Sequence, residues 1–172
     1  EARVAEISHD GNPLSGSEDF NEYQHASQIL TPVRYDLANL KAWRKQGTPS
    51  AAGQANARSI AQLYGALAYD RRIAGRELIS KRALEEATTI QIEGEDLVLR
   101  APMSWGVGFA LNKAMGVYGS SPRAFGHHGW GGSFGFADPD NELGVAYAMN
   151  FMREPQGALD PRFVNLVQAV YA

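Results

Sequence analysis

A chain of 172 residues with a formal net charge of -3, 44% hydrophobic residues and no cysteine is long and apolar enough to bury one core, which excludes a wholly disordered protein. The lack of cysteine removes disulfides, thiolate zinc sites and a cysteine nucleophile. The slightly acidic balance removes the basic field that gathers nucleic acid or anionic lipid, and no apolar run approaches the length of a membrane span.

Residues 1–35 are rich in Ser, Asp, Asn, Gly and Pro and show no sustained period. A loop of that length is unusual inside a compact domain, so the segment is expected either as an irregular tail or as a strap across a part of the protein that this chain lacks. His9 and His25 fall in it and are expected in solvent. Residues 1–46 are accordingly read as an irregular segment with one short helix, over Tyr35–Lys45, with Leu37, Leu40 and Trp43 on one face and Gly47 and Pro49 closing it.

Residues 47–172 read as helix, sheet, helix. Ile60, Leu63, Tyr64, Leu67 and Ala68 recur at helical spacing and predict an amphipathic helix over 57–69. Ser80 is placed to cap a helix over 81–88. After Ile90 the period changes to two. Trp105–Asn112 and Leu143–Asn150 each alternate large apolar residues with Gly or Ala, which predicts strands whose small-residue faces admit a closely packed helix. His127–Phe136 is expected as a glycine-rich strand, joined to the next by the turn residues Asp138-Pro139-Asp140-Asn141 and paired antiparallel to it. Asp160 and Pro161 open a terminal helix with Phe163, Leu166, Val167, Val170 and Tyr171 on its buried stripe. The fold class is α+β, an antiparallel sheet flanked by helices.

Glycine is the compositional outlier, with 18 residues, ten of them between Gly106 and Gly144. Within that stretch Gly131-Gly132-Ser133-Phe134-Gly135 matches the G-x-S-x-G pattern of a nucleophile elbow. An elbow requires a helix after the serine and an acid and a histidine downstream, yet a turn and another strand follow, and no histidine lies beyond Ser133. His127 as partner also fails on this reading, because six extended residues span roughly 20 Å. Ser133 is therefore expected to be structural.

The same stretch carries another likeness. Phe125 to Pro139, followed by Leu143 to Asn150, resembles the third-motif strand and hairpin of the serine β-lactamase-like and penicillin-binding-protein-like hydrolases, a family holding class C β-lactamases, D-Ala-D-Ala carboxypeptidases and related esterases. Ser50–Tyr64, Gly75–Ser80 and the terminal helix are similar to elements that occur in that order in the family. The resemblance, from about Gly47 to the end, implies a β-lactamase/transpeptidase-like fold and acyl transfer through a serine of an S-x-x-K motif with the help of a Y-x-N tyrosine. His127-His128-Gly129 falls on its third motif, K-T-G or H-x-G. The implied roles are a substrate-facing His127, a backbone N–H of Trp130 as oxyanion donor, and His128, Gly129 and Gly131 at the substrate.

A histidine in place of the motif's lysine is a weaker anchor for a substrate carboxylate, which favours an esterase over a β-lactamase. Neither S-x-x-K nor Y-x-N occurs in these 172 residues. The chain is thus expected to be the incomplete, C-terminal half of such an enzyme, inactive alone, with a small ester or amide as substrate and the missing N-terminal half as its partner. Adjacent strand histidines point to opposite faces, so no metal site or other cofactor is implied. The alternative is a non-catalytic binding or structural module of the same fold. Surfaces meant for the missing half should promote self-association.

Overall fold

Along the chain run strand β1 (Ser8–His9), a 3-10 turn at Tyr35–Asn39, helix α1 (Lys41–Gln46), helix α2 (Ala57–Ala68), strands β2 (Arg72–Ile73) and β3 (Arg76–Glu77), helix α3 (Lys81–Ala87), strands β4 (Ile92–Asp96), β5 (Ala101–Trp105) and β6 (Ala110–Leu111), helix α4 (Asn112–Met115), strands β7 (Phe125–His128), β8 (Phe134–Asp138), β9 (Leu143–Tyr147) and β10 (Phe151–Met152), and helix α5 (Pro161–Val170). The computed structural model describes residues 4–9, 22–23, 35–47, 49, 51, 53–129, 131–153 and 159–172.

Strands β4 to β9 form one six-stranded sheet in chain order, every pairing antiparallel. This is the expected α+β arrangement of an antiparallel sheet flanked by helices. Alternation along β8 divides the two faces. Phe134 and Phe136 point to the side covered by α5, where they pack with Phe163, Val167, Tyr118 and Met103. Gly135 and Ala137 point to the side of α2: a Cβ at Gly135 would lie 2.5 Å from Tyr64 Cε2 and 2.7 Å from Ile60 Cγ2, and Ala137 packs with Leu67, Ala68, Leu111 and Phe125. Small residues on this face let α2 sit against the sheet, as their alternation predicts.

The helix starts follow from their caps. Asn56 accepts from Ser59 N at 2.9 Å, Ser80 from Ala83 N at 3.1 Å and Asp160 from Arg162 N at 2.8 Å, each satisfying an N–H that the helix cannot. Pro161 follows Asp160 at the first position of α5. The stripes are narrower than their spacing suggests. Leu63, Leu166 and Val170 are exposed, while Leu67, Phe163 and Val167 are buried, and Tyr69 lies beyond the helix end in solvent.

Four expectations are corrected. The span 105–112 is not one strand: Trp105 pairs with Ala110, and Gly106–Phe109 reverse the chain, with Gly108 at φ 79. The alternation there reflected turn glycines rather than a sheet face. Likewise 127–136 is a hairpin, β7 paired with β8 through His127↔Gly135 and His128↔Phe134. The predicted helix over 35–45 is split at Leu40, which is half exposed, and Arg44 Nη1 reaches back to the carbonyls of Asn39 (2.8 Å) and Ala38 (3.1 Å). Gly47 closes α1 at φ 65 as expected. Finally, part of the N-terminal segment docks on this chain itself: Ser8–His9 pairs parallel with Phe151–Met152, and Asn39 bonds both main-chain groups of Ile7 at 2.8 Å. Residues 10–21 and 24–34, including His25, lie outside the described residues.

Candidate active site

His127 and His128 end β7, and the turn 129–133 leads into β8. On one side the two histidines ladder with β8. On the other, β6 is two residues long and pairs only with Phe125 and Gly126, so the histidines extend past it and meet no ladder partner there among the described residues. The result is an open strand end beside a glycine turn.

The register sends the two rings to opposite faces, although their centroids are 6.0 Å apart. His127 is exposed and stacks on Trp105 at 5.8 Å, a ring that the indole N–H to Asp96 Oδ2 (3.1 Å) holds in place. The surrounding atoms thin its hydration and push its pKa below the usual histidine range, against a smaller upward pull from the His128 backbone. It is neutral at pH 7 and offers a hydrogen bond rather than a charge. His128 is half buried. Its ring lies flat on Phe163 (5.6 Å, 14°), and its Nδ1 shares a 3.1 Å hydrogen bond with the Tyr118 hydroxyl. Burial, with His127 adding to it, lowers its pKa as well. Tyr118 is itself fixed by Asn112, whose Oδ1 accepts from Tyr118 N at 2.8 Å, and burial keeps its phenol protonated. The His128 side chain is thus committed to the core under α5. Its main chain alone reaches the open end.

The turn is held from inside. Gly129 N donates to Ser133 O at 2.6 Å, and Gly132 N to Gly129 O at 3.2 Å. Gly131 and Gly132 have φ 84 and 109, values that L side chains rarely adopt. The space a side chain would need is also taken: at Gly131 by Met152, and at Gly132 by Asp160 and Arg162. Arg162 Nη2 donates to Gly131 O (2.8 Å), Nη1 to Phe151 O (2.9 Å) and Nε to Asp160 Oδ1 (3.0 Å). The bonding between Arg162 and Asp160 lowers the Asp160 pKa and raises that of Arg162. Trp130 lies outside the described residues.

His127 and Ser133 are not at the two ends of an extended strand, because the chain folds back between them, so the separation used against that pair does not hold. The elbow is still excluded, since Ser133 leads into β8 and the Asp138–Asn141 turn rather than a helix. Trp105 and Tyr118 hold the two histidine rings and Asp160 and Arg162 meet the turn, and none of the four is among the site residues expected from sequence. One signal was available: Arg162 stands in the first turn of a helix, where the dipole disfavours a cation, so something else must hold it there. Among the described residues no three His, Asp or Glu side chains converge as a metal site would need. A cavity of ≈ 620 Å³ between α2, α3 and the start of β7 includes none of residues 127–133.

A family profile described as Beta-lactamase matches residues 7–169. The crystal structure of a family VIII carboxylesterase is similar over 99% of this chain and 43% of its own, with 40% sequence identity and a TM-score of 0.85. EstA from Arthrobacter nitroguajacolicus Rue61a is 30% identical over 98% of this chain and 45% of its own, with a TM-score of 0.78. "Esterase/beta-lactamase LipL" of Mycobacterium tuberculosis is 35% identical over 102 residues, 59% of this chain and 22% of that protein. The chain therefore spans less than half the length of each of these three. With a family profile matched across nearly all its residues and its helices and sheet superposing on a family VIII carboxylesterase and on EstA, the chain belongs to the beta-lactamase family of serine hydrolases.

Proposed function

We propose that this chain supplies the substrate-facing strand of a serine hydrolase that cleaves small esters, or amides, through an acyl-enzyme. The observation that carries the reading is the open end of β7 at His127 and His128 beside the turn 129–133. An extended acyl group laid along that edge would gain main-chain hydrogen bonds, as strand-adding ligands do, and would bring its carbonyl oxygen beside the turn. In this reading Trp130 N–H is the oxyanion donor, and the main chains of His128, Gly129 and Gly131 line the acyl group. His127 is the polar side chain facing the substrate.

The attacking hydroxyl comes from a serine outside these 172 residues, in an S-x-x-K motif with a Y-x-N tyrosine nearby. Its oxygen bonds to the carbonyl carbon, the alcohol or amine leaves with a proton, and water then releases the acid. The 172-residue chain alone does not turn over substrate. Esterase activity is favoured over β-lactam hydrolysis because His127 is uncharged at pH 7 and so gives a β-lactam carboxylate no fixed cation. The similarity to a family VIII carboxylesterase supports the same preference.

The test joins this segment to the part that carries S-x-x-K and Y-x-N and compares a short-chain p-nitrophenyl ester with a cephalosporin. Ester hydrolysis that exceeds cephalosporin turnover supports the proposal, and the reverse order makes the protein a β-lactamase. Failure to hydrolyse either compound would favour the second reading, a non-catalytic module of the same fold.

A further inference from the structure

We infer that Arg162 is a positioning residue for the candidate site: through its bond to Gly131 O, it fixes the Gly131–Gly132 peptide of the turn beside the open end of β7, where the substrate carbonyl would be held. The inference rests on the esterase reading for its catalytic consequence, but not for its geometry.

Arg162 is placed where local forces oppose it. It sits in the first turn of α5, whose dipole favours anions, and its ordered side chain carries an entropy cost. Asp160 relieves the charge, and the pair is mostly buried, with 21% of the Arg162 side chain and 14% of the Asp160 side chain exposed. A helix start could be served by Asp160 and Pro161 alone. What the guanidinium adds is a link between three backbone segments: Gly131 in the turn, Phe151 in β10 and the N-terminus of α5. The planar fork makes these bonds at once, which a lysine cannot do. The Tyr147 ring lies 5.9 Å beneath it. On the turn side the fit is direct, since a Cβ at Gly132 would lie 2.5 Å from Arg162 Nη2. Once Gly131 O is held, the Gly132 amide on the same peptide plane is aimed at Gly129 O, and that bond sets the curvature of the turn.

A transition-state donor misplaced by about an ångström loses on the order of 100-fold in rate. Arg162→Ala in the joined enzyme should therefore lower kcat on a p-nitrophenyl ester by roughly that factor and leave KM within about threefold. Arg162→Lys keeps the charge beside Asp160 but not the fork, and should fall between the two. In the 172-residue chain, hydrogen exchange at the Gly129 and Gly132 amides should speed up by about tenfold or more in both variants, while β4 and β5 keep their protection. If Arg162→Ala unfolds, Arg162→Lys carries both measurements. Unchanged glycine exchange, or kcat within about twofold of the parent, overturns the inference. If the parent hydrolyses no ester, the functional reading fails instead, and the exchange data alone decide whether Arg162 orders the turn.

Discussion

Gly65 of α2 and Gly144 of β9 meet backbone to backbone: a Cβ built on Gly144 would overlap the nitrogen and Cα of Gly65 and stand 2.5 Å from Ala61 O. This contact sets the spacing between α2 and the sheet, and with it the seating of Tyr64 and Ile60 over Gly135, the partner of His127. Gly144→Ala should destabilise the chain by roughly 1–3 kcal/mol or more, because neither backbone can yield. Urea unfolding measures this, and an unchanged midpoint would show that the helix rides higher than described.

At the other end of β8, Asp138 is fully buried, and its carboxylate accepts from Tyr171 Oη at 2.5 Å, Asn141 Nδ2 at 2.8 Å and Asp140 N at 3.0 Å. Burial alone would raise its pKa; these donors outweigh it and hold the group below the usual carboxylate range. Its stabilising contribution is thus present above about pH 4, the unfolded value, and is lost as pH falls through the lower folded one. Tyr171→Phe removes a donor to a buried charge, worth about 1.5–3 kcal/mol. Acid unfolding should move to higher pH in that variant; coincident acid transitions would refute the assignment.

His128 also loses its contribution in acid, but in a higher pH window. Burial lowers its pKa, so the unfolded chain takes up the proton first, and stability should fall as pH drops below about 6.5 toward the folded value. The protonated ring would also sit between Phe163 and Tyr118 with its charge unpaired by either. His128→Gln retains a partner for Tyr118 and removes the titration. Between pH ~7.5 and ~5 its melting temperature should drop less than the parent's. Equal drops in the two would place the acid sensitivity elsewhere.

Leu63 and Tyr69, at 43% and 65% exposure, give the outer side and end of α2 an apolar surface, and Leu166 and Val170 do the same on α5. We expect the isolated chain to self-associate through such surfaces. Size-exclusion chromatography with light scattering reads this directly, and a monodisperse monomer at all concentrations would contradict it.

What could be read along the chain was what neighbouring residues decide among themselves. The caps at Ser80 and Asp160, the α2 span, the small-residue face of β9 and the Asp138–Asn141 turn all depend on contacts within a few positions, and the family likeness lay in several short motifs in order along the chain. The two reversals, at 106–109 and 129–133, were hidden because turn glycines imitate the small residues of an alternating strand. The family likeness pointed to His127 as the substrate-facing ring, but what covers His128 was not legible, since Phe163 and Tyr118 reach it from separate elements. Arg162 lies 31 residues from the carbonyl it holds. A bond across that separation exists only after α5 has packed over the sheet, because only burial of Phe163 and Val167 brings the two segments within reach.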